Sequence, residues 1–279
     1  PRSTPSNSSA ASDVYKRQKD NIAKIRFINT EKLNPLDINT STELMQILDE
    51  LESKDTVRVI VITGSGRSFS AGGDIKKMKE SIDNGIPDKF MDELTDKIYK
   101  IVYKLRTYSK PIIAAVNGYC IGAGMNLALG CDLIIASEKA KFAESFCKLG
   151  LIPGALGTYL LIRQIPWQKA AEYCFTGEMI PAEELYKLGL INKIVPHDQL
   201  EEKVMKLAKK LAEGPTLAYA RTKKLFMEAL NNSMDVHLEN ERQMQIKSAL
   251  TEDYKLSLIH ISEPHETSLH LVCRLLLEK

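Results

Sequence analysis

The chain has 279 residues, of which 44% are hydrophobic and 27% charged. That balance excludes a disordered or collagen-like polymer and suffices for a full core, in one large domain or two modest ones. Lys and Arg total 38 against 36 Asp and Glu, a net charge of +2, so no single-sign field points to nucleic acid or a membrane as partner.

No apolar run reaches the ~18 residues of a membrane span, and the first residues lack the charged-then-apolar pattern of a secretory signal. The five cysteines, at 120, 131, 147, 174 and 273, are odd in number and form no CxxC. Such spacing argues against a disulfide scaffold or a zinc site and for free thiols in a reducing, cytoplasmic setting.

The ends differ from the middle. Residues 1–12, PRSTPSNSSAAS, are dominated by Ser, Thr, Pro and Asn and cannot bury enough apolar area to order themselves. The segments SDVYKRQ (12–18) and LSLIHISEP (256–264) resemble translated sequencing-adaptor read-through. Residues 1–18 are therefore expected to be a non-native or disordered leader and 255–279 a non-native tail. His265-Glu266 opens like a zinc-protease HExxH, but residue 269 is Leu, so no metal site is expected there.

In chain order, IAKIRFIN (22–29) alternates apolar and polar as a half-buried strand does. Thr40 to Leu51 places Leu44, Ile47, Leu48 and Leu51 on one helical face. VRVIVIT (57–63) is a β-branched buried strand, followed by the glycine-rich loop GSGRSFSAGGD (64–74). Residues 89–107 read as a long helix. PIIAAV (111–116), DLIIAS (132–137) and KFAESF (141–146) read as further strands. From Trp167 the pattern is helical, with EELYKLG (183–189) closed by glycine and amphipathic helices over 198–213 and 216–231. This rhythm predicts an α/β fold with a helical C-terminal portion.

Two strands end in glycine turns: VRVIVIT runs into SFSAGG, and PIIAAV into GYCIGAG. Glycine lets a backbone approach a ligand closely, and a helix starting there aims free N–H groups outward. Two such turns side by side supply two donors to one oxygen, an oxyanion hole; alone, each is also an ordinary strand–helix turn. Rival motifs fail in detail. Phe69 stands where a dinucleotide fingerprint needs its third glycine, and the chain holds neither a P-loop nor a GxSxG elbow.

SFSAGGDIKKM (68–78), KPIIAAVNGYCIGAGMNLALGCDLIIAS (110–137), FAESFCKLGLIPGALGTYLL (142–161) and AAEYCFTGEMIPAEELYKLGLINKIVP (170–196) together resemble the enoyl-CoA hydratase/isomerase (crotonase) family, from about residue 22 to 254. The resemblance implies a ββα spiral core over 19–196 and a helical oligomerisation region over 197–254. It implies an acyl-CoA thioester substrate with no separate cofactor, and assembly as homotrimers or hexamers. It implies that the thioester oxygen is held by two backbone N–H groups, by motif match those of Ala71 and Ala123. Gly72, Gly73, Asp74, Ile75, Tyr119, Gly122 and Phe146 then stand in the substrate-binding positions, with Asp74 bracing its loop.

The departures bear on the chemistry. Asn126 and Phe146 stand where a hydratase of this family carries its two water-holding glutamates, and neither moves a proton. Gly154 stands where a subgroup with the same Asn and Phe carries an aspartate. Glu144 is the nearest remaining acid. If 142–146 is extended, Phe142, Glu144 and Phe146 share a face, and a carboxyl between phenylalanines is desolvated with its pKa raised; otherwise Glu144 is an exposed or salt-bridged residue. Asn126 still orients a water or carbonyl. Tyr119 and Tyr159 are further pocket candidates, and Lys76 and Lys77 candidates for CoA phosphates. After Tyr254 the family's last helix is no longer recognisable. The reading favours isomerisation or another one-acid reaction over hydration, with enoyl-CoA hydratase proper and a non-catalytic CoA-binding paralogue as alternatives.

Overall fold

The computed structural model of the protein describes residues 12–262. The first eleven residues of the expected leader, the His265-Glu266 pair and the tail beyond Ser262 lie outside the described residues. The first described elements are β1 (Val14–Lys19) and β2 (Ile22–Phe27), an antiparallel hairpin with Asp20 and Asn21 at positive φ in its turn, the conformation Asx residues tolerate best. Val14 is buried. This corrects the expectation that 1–18 stands outside the fold: residues 14–18 pair with 23–27 along the edge of the main sheet. Helix α1 (Ile38–Glu52) follows. The Asp37 carboxylate accepts the Thr40 N–H at 2.8 Å, an N-cap, and Leu44, Leu48 and Leu51 are buried at helical spacing.

Three strand–strand–helix units come next. The first is β3 (Val59–Gly64), β4 (Ser68–Ser70) and α2 (Ile75–Asp83), joined by α3 (Pro87–Thr107) to the second. The second is β5 (Ile112–Val116), β6 (Tyr119–Ile121) and α4 (Ala123–Gly130). The third is β7 (Leu133–Ser137), β8 (Lys141–Ala143), a 3-10 turn (Ser145–Leu149) and α5 (Gly157–Gln164). Helix α6 (Trp167–Thr176), β9 (Ile180–Pro181), α7 (Ala182–Lys187), β10 (Lys193–Val195) and α8 (Leu200–Glu213) complete the body.

The first strand of each unit joins a six-stranded sheet ordered β1-β2-β3-β5-β7-β10, and the second a four-stranded sheet ordered β4-β6-β8-β9. Successive units pair in parallel in both sheets, so the chain climbs one strand per turn: the expected ββα spiral. The 141–146 segment differs from expectation. It is strand only to Ala143, and the 3-10 turn begins at Ser145. The alternation that placed Phe142, Glu144 and Phe146 on one face therefore does not hold.

The main sheet is buried on both faces, as its β-branched parallel strands require. Ile60, Ile62, Ile112 and Ala114 face one core; Val59, Val61, Ile113 and Ala115 face another, packed on Leu200, Val204, Ala208 and Ala212 of α8. Helix α8 thus belongs to the body. The first compact unit runs to Thr216 and the second from Leu217, so the expected boundary at 196/197 moves to 216/217. The second unit carries α9 (Thr216–Ala229), α10 (Met234–Ala249) and α11 (Glu252–Ser262). Helix α11 continues through 255–262, which the sequence reading had assigned to the tail. No described helix is long and apolar enough to cross a membrane.

The core reaches the site through Phe27, whose ring meets Phe69 edge-on with centroids 6.0 Å apart. Both side chains are fully buried, and Phe69 lies just before the first glycine turn. Phe27→Ala is expected to lower unfolding free energy by about 3–5 kcal/mol, read by denaturant titration; a loss under 1 kcal/mol would show that the core re-closes around the gap.

Candidate active site

Strand β4 runs into Ala71-Gly72-Gly73, and β6 into Gly122 at the start of α4. The two turns touch. Gly72 has φ +83°, and a β-carbon there would stand 2.7 Å from the Ile121 carbonyl oxygen and 3.3 Å from the Ala123 nitrogen. Gly122, at φ 53° and ψ −121°, needs glycine for its backbone alone.

The hydrogen bonds decide which amides are free. The Ala71 N–H donates to the Leu33 carbonyl at 2.9 Å, and the Gly72 N–H to Ser70 Oγ at 3.2 Å. The Gly122 N–H donates to the Ala143 carbonyl at 2.7 Å. Ala71 is therefore not a free donor, which corrects the motif match: its amide is consumed in holding the loop against the segment before α1. Among the described residues the Gly73 and Ala123 N–H groups meet no acceptor. Ala123 is the first residue of α4, where amides lack an intrahelical partner.

Both line a cleft of about 280 Å³. Ala71, Gly72, Gly73, Gly122 and Ala123 line it near the turns, with Ile75 and Phe146 beside them. Met78, Leu94, Ile98, Tyr99, Leu151 and Ile152 extend its apolar walls. Tyr99 is the one titratable side chain among the lining residues. Sequence reasoning missed Gly73 as a donor and Tyr99 as a wall. Tyr99 had a faint signal: it follows Thr95 by four positions, beside the core stripe of Leu94, Ile98 and Ile101.

Seven expected residues stand off the cleft. Asp74 caps α2: its carboxylate accepts the Lys76 N–H at 3.0 Å and the Lys77 N–H at 3.3 Å, and takes the Lys32 ammonium at 3.1 Å. Burial works to raise its pKa, but the Lys32 ammonium and the two amides outweigh it and hold the carboxyl below the usual range. Asp74 braces the loop and does not line the cleft. Tyr119 is 38% exposed outside it. Tyr159, the weaker candidate, stacks its ring under the Arg163 guanidinium, 3.6 Å from the centroid. Of the two lysines, Lys77 pairs with Asp37, while Lys76 is exposed beside Glu80.

Asn126 and Glu144 are the other two, and they meet each other. Asn126 Nδ2 donates to the Gly154 carbonyl at 2.9 Å and approaches Glu144 Oε2 at 3.4 Å. Glu144 is fully buried, immediately before Ser145 and Phe146 of the cleft wall. Burial pushes its pKa up to about 8 against a lowering hydrogen bond from Asn126. Its Oε1, like Asn126 Oδ1, has no hydrogen-bond partner among the described residues.

Folding therefore retains the Glu144 proton up to about pH 8, whereas an ordinary glutamate loses it near 4.5. Between those values the folded state binds the extra proton, so this carboxyl's contribution to stability falls as pH rises. Thermal unfolding from pH 5 to 9 should show wild type losing up to about 1.4 kcal/mol per pH unit relative to Glu144→Gln. Parallel curves would show that Glu144 is not titrating as a buried acid.

An α/β spiral whose two glycine turns line one apolar cleft, each with an unbonded amide, defines the class. The family model described as enoyl-CoA hydratase/isomerase matches residues 17–268; the chain belongs to this family. It is 41% identical over 223 residues to a probable mitochondrial enoyl-CoA hydratase of Dictyostelium discoideum, covering 78% of this chain and 74% of that protein. It is 35% identical over 226 residues to the 1,2-epoxyphenylacetyl-CoA isomerase of Escherichia coli, covering 81% and 86%. The solved enoyl-CoA hydratase of Bacillus anthracis superposes with a TM-score of 0.85 at 29% identity, over 90% of this chain and 96% of that one. The chain is thus an enzyme of the enoyl-CoA hydratase/isomerase type.

Proposed function

We propose that the protein binds an enoyl-CoA thioester with its carbonyl oxygen on the Gly73 and Ala123 N–H groups, and moves the double bond through an enolate. Glu144 lies behind the Ser145–Phe146 wall; with that wall moved aside, its carboxylate takes a proton from the acyl chain, and the electron pair of that C–H bond flows to the thioester oxygen. The carboxyl exchanges that proton with solvent and returns one at another carbon, and no net water is consumed. Coenzyme A enters only as part of the substrate, with exposed Lys76 a candidate for its phosphates.

The observation that carries this reading is the unpartnered Oε1 of Glu144. A buried oxygen without a hydrogen bond costs about 1–3 kcal/mol, and such groups gather where chemistry uses them. A raised pKa also suits a group that both takes and gives a proton near neutrality. Hydration asks for a second acid, and positions 126 and 146 supply none.

Hydration is the second reading, because relatives named hydratase stand beside others named isomerase. A homotrimer or hexamer is part of the proposal. Helices α9 and α10 bury no residue, while Phe226, Met234, Leu238 and Leu250 are exposed, an apolar surface that self-association would cover. The free thiols of Cys120, Cys147 and Cys174 suit a reducing compartment such as the cytoplasm.

The test is mass spectrometry of enoyl-CoA thioesters incubated with the protein in heavy water. Isomerisation predicts deuterium in the acyl chain with no added water, lost by about 10²–10⁴-fold in Glu144→Gln. Gain of a whole water would establish hydration instead. An unaffected Glu144→Gln would remove that carboxyl from the chemistry.

A further inference from the structure

The cleft walls are apolar except for three hydroxyls, on Thr95, Tyr99 and Ser145. Thr95 is spoken for: its Oγ1 donates to the Met91 carbonyl at 2.7 Å, within its own helix. Ser145 Oγ lies at the glycine turns, 3.7 Å from where a β-carbon of Gly122 would be. Tyr99 stands on a different wall, carried by α3.

Its phenol lies directly over the backbone of Gly154. A β-carbon on that glycine would stand 2.3 Å from Tyr99 Oη and 2.9 Å from Cε1 and Cζ. Any side chain at 154 would push the ring away, so the bare backbone there and the position of Tyr99 are one arrangement. The Gly154 carbonyl is already taken by Asn126 Nδ2 at 2.9 Å. Tyr99 Oη has no hydrogen-bond partner among the described residues. A phenolic O–H is a good donor, and on an otherwise apolar wall, partly open to solvent, it offers a bound acyl chain one place for an acceptor.

The lining carries no lysine, arginine or histidine, so nothing there compensates the charge of a carboxylate-tailed acyl group. We propose that Tyr99 is a specificity-determining residue, whose hydroxyl binds a neutral oxygen on the acyl group of the thioester, a ketone or ether-type acceptor on an otherwise apolar chain. This rests on the acyl-CoA reading above and names the substrate class of the same site. A plain alkyl chain fits the walls but leaves the hydroxyl unpaired or wet, and a charged tail finds no counter-charge.

Binding of saturated thioesters separates this inference from the chemistry, because it needs no turnover. Titration calorimetry compares hexanoyl-CoA with a set of oxohexanoyl-CoA isomers that differ only in where the ketone stands. Wild type should bind at least one isomer about 3- to 10-fold more tightly than hexanoyl-CoA, the worth of one neutral hydrogen bond. Tyr99→Phe, at a position 41% exposed and so tolerant of losing a hydroxyl, should erase that preference without weakening hexanoyl-CoA binding. Gly154→Ala should erase it too, by displacing the intact phenol. No preference in wild type, or the same preference in Tyr99→Phe, overturns the assignment. A preference that vanishes in Tyr99→Phe upholds it even where no deuterium enters the acyl chain; that combination would overturn the isomerisation reading alone.

Discussion

The site depends on two strand–helix turns that approach closely enough for only backbone to lie between them. A side chain on Gly72 would collide with the Ile121 carbonyl, and one on Gly124 would stand 2.5 Å from the Ser70 carbonyl. Removing both side chains lets β4 and β6 bring their following turns together, one strand apart in the same sheet. The parallel pairing of β4 with β6 puts both turns at the same end of that sheet. Two residues with unbonded amides then line one cleft, and each amide is free for a different reason. Ala123 opens a helix, and Gly73 precedes a capped one.

The hydrogen bonds around the turns fix which amides remain available. Ala71 gives its N–H to Leu33, and Gly72 its N–H to Ser70, so the loop is held before any ligand arrives. Asp74 and Lys32 tie the far end to the same upstream segment. Donors held this way need no reorganisation as charge develops on an oxygen, which is the source of their value in a low-dielectric cleft. Behind the wall lies the opposite situation. Glu144 is buried with one oxygen unsatisfied, an arrangement a core does not adopt for stability alone. The site thus combines a loop held through its Ala71 and Gly72 amides with one under-satisfied acid behind the wall.

The spiral was legible because its strands are continuous apolar runs, each stopped by glycine, and because the quoted motifs fall in the family's order. The details that depend on distant partners were not. Nothing near Ala71 announces that its amide serves the Leu33 carbonyl, so the motif match chose the wrong residue of the turn. The four-residue spacing of Leu200, Val204, Ala208 and Ala212 shows a buried helix face but not its partner, so α8 was placed with the C-terminal helices and not on the main sheet. The burial of Glu144 follows from its apolar neighbours, yet not by the alternation expected, since the strand ends at Ala143. Residues 14–18 are polar enough to read as outside the fold, but an edge strand pairs through its backbone, and one buried side chain, Val14, anchors it.

The central claim is that the Gly73 and Ala123 amides hold one thioester oxygen. Isotope-edited infrared difference spectroscopy of a bound saturated acyl-CoA carrying a 13C carbonyl tests it without any turnover. Two hydrogen bonds in an apolar cleft should lower the carbonyl stretching frequency well below its value for the same thioester in water. A bound thioester with a carbonyl frequency equal to or above the aqueous value would contradict the account, because the oxygen would then lie away from both amides.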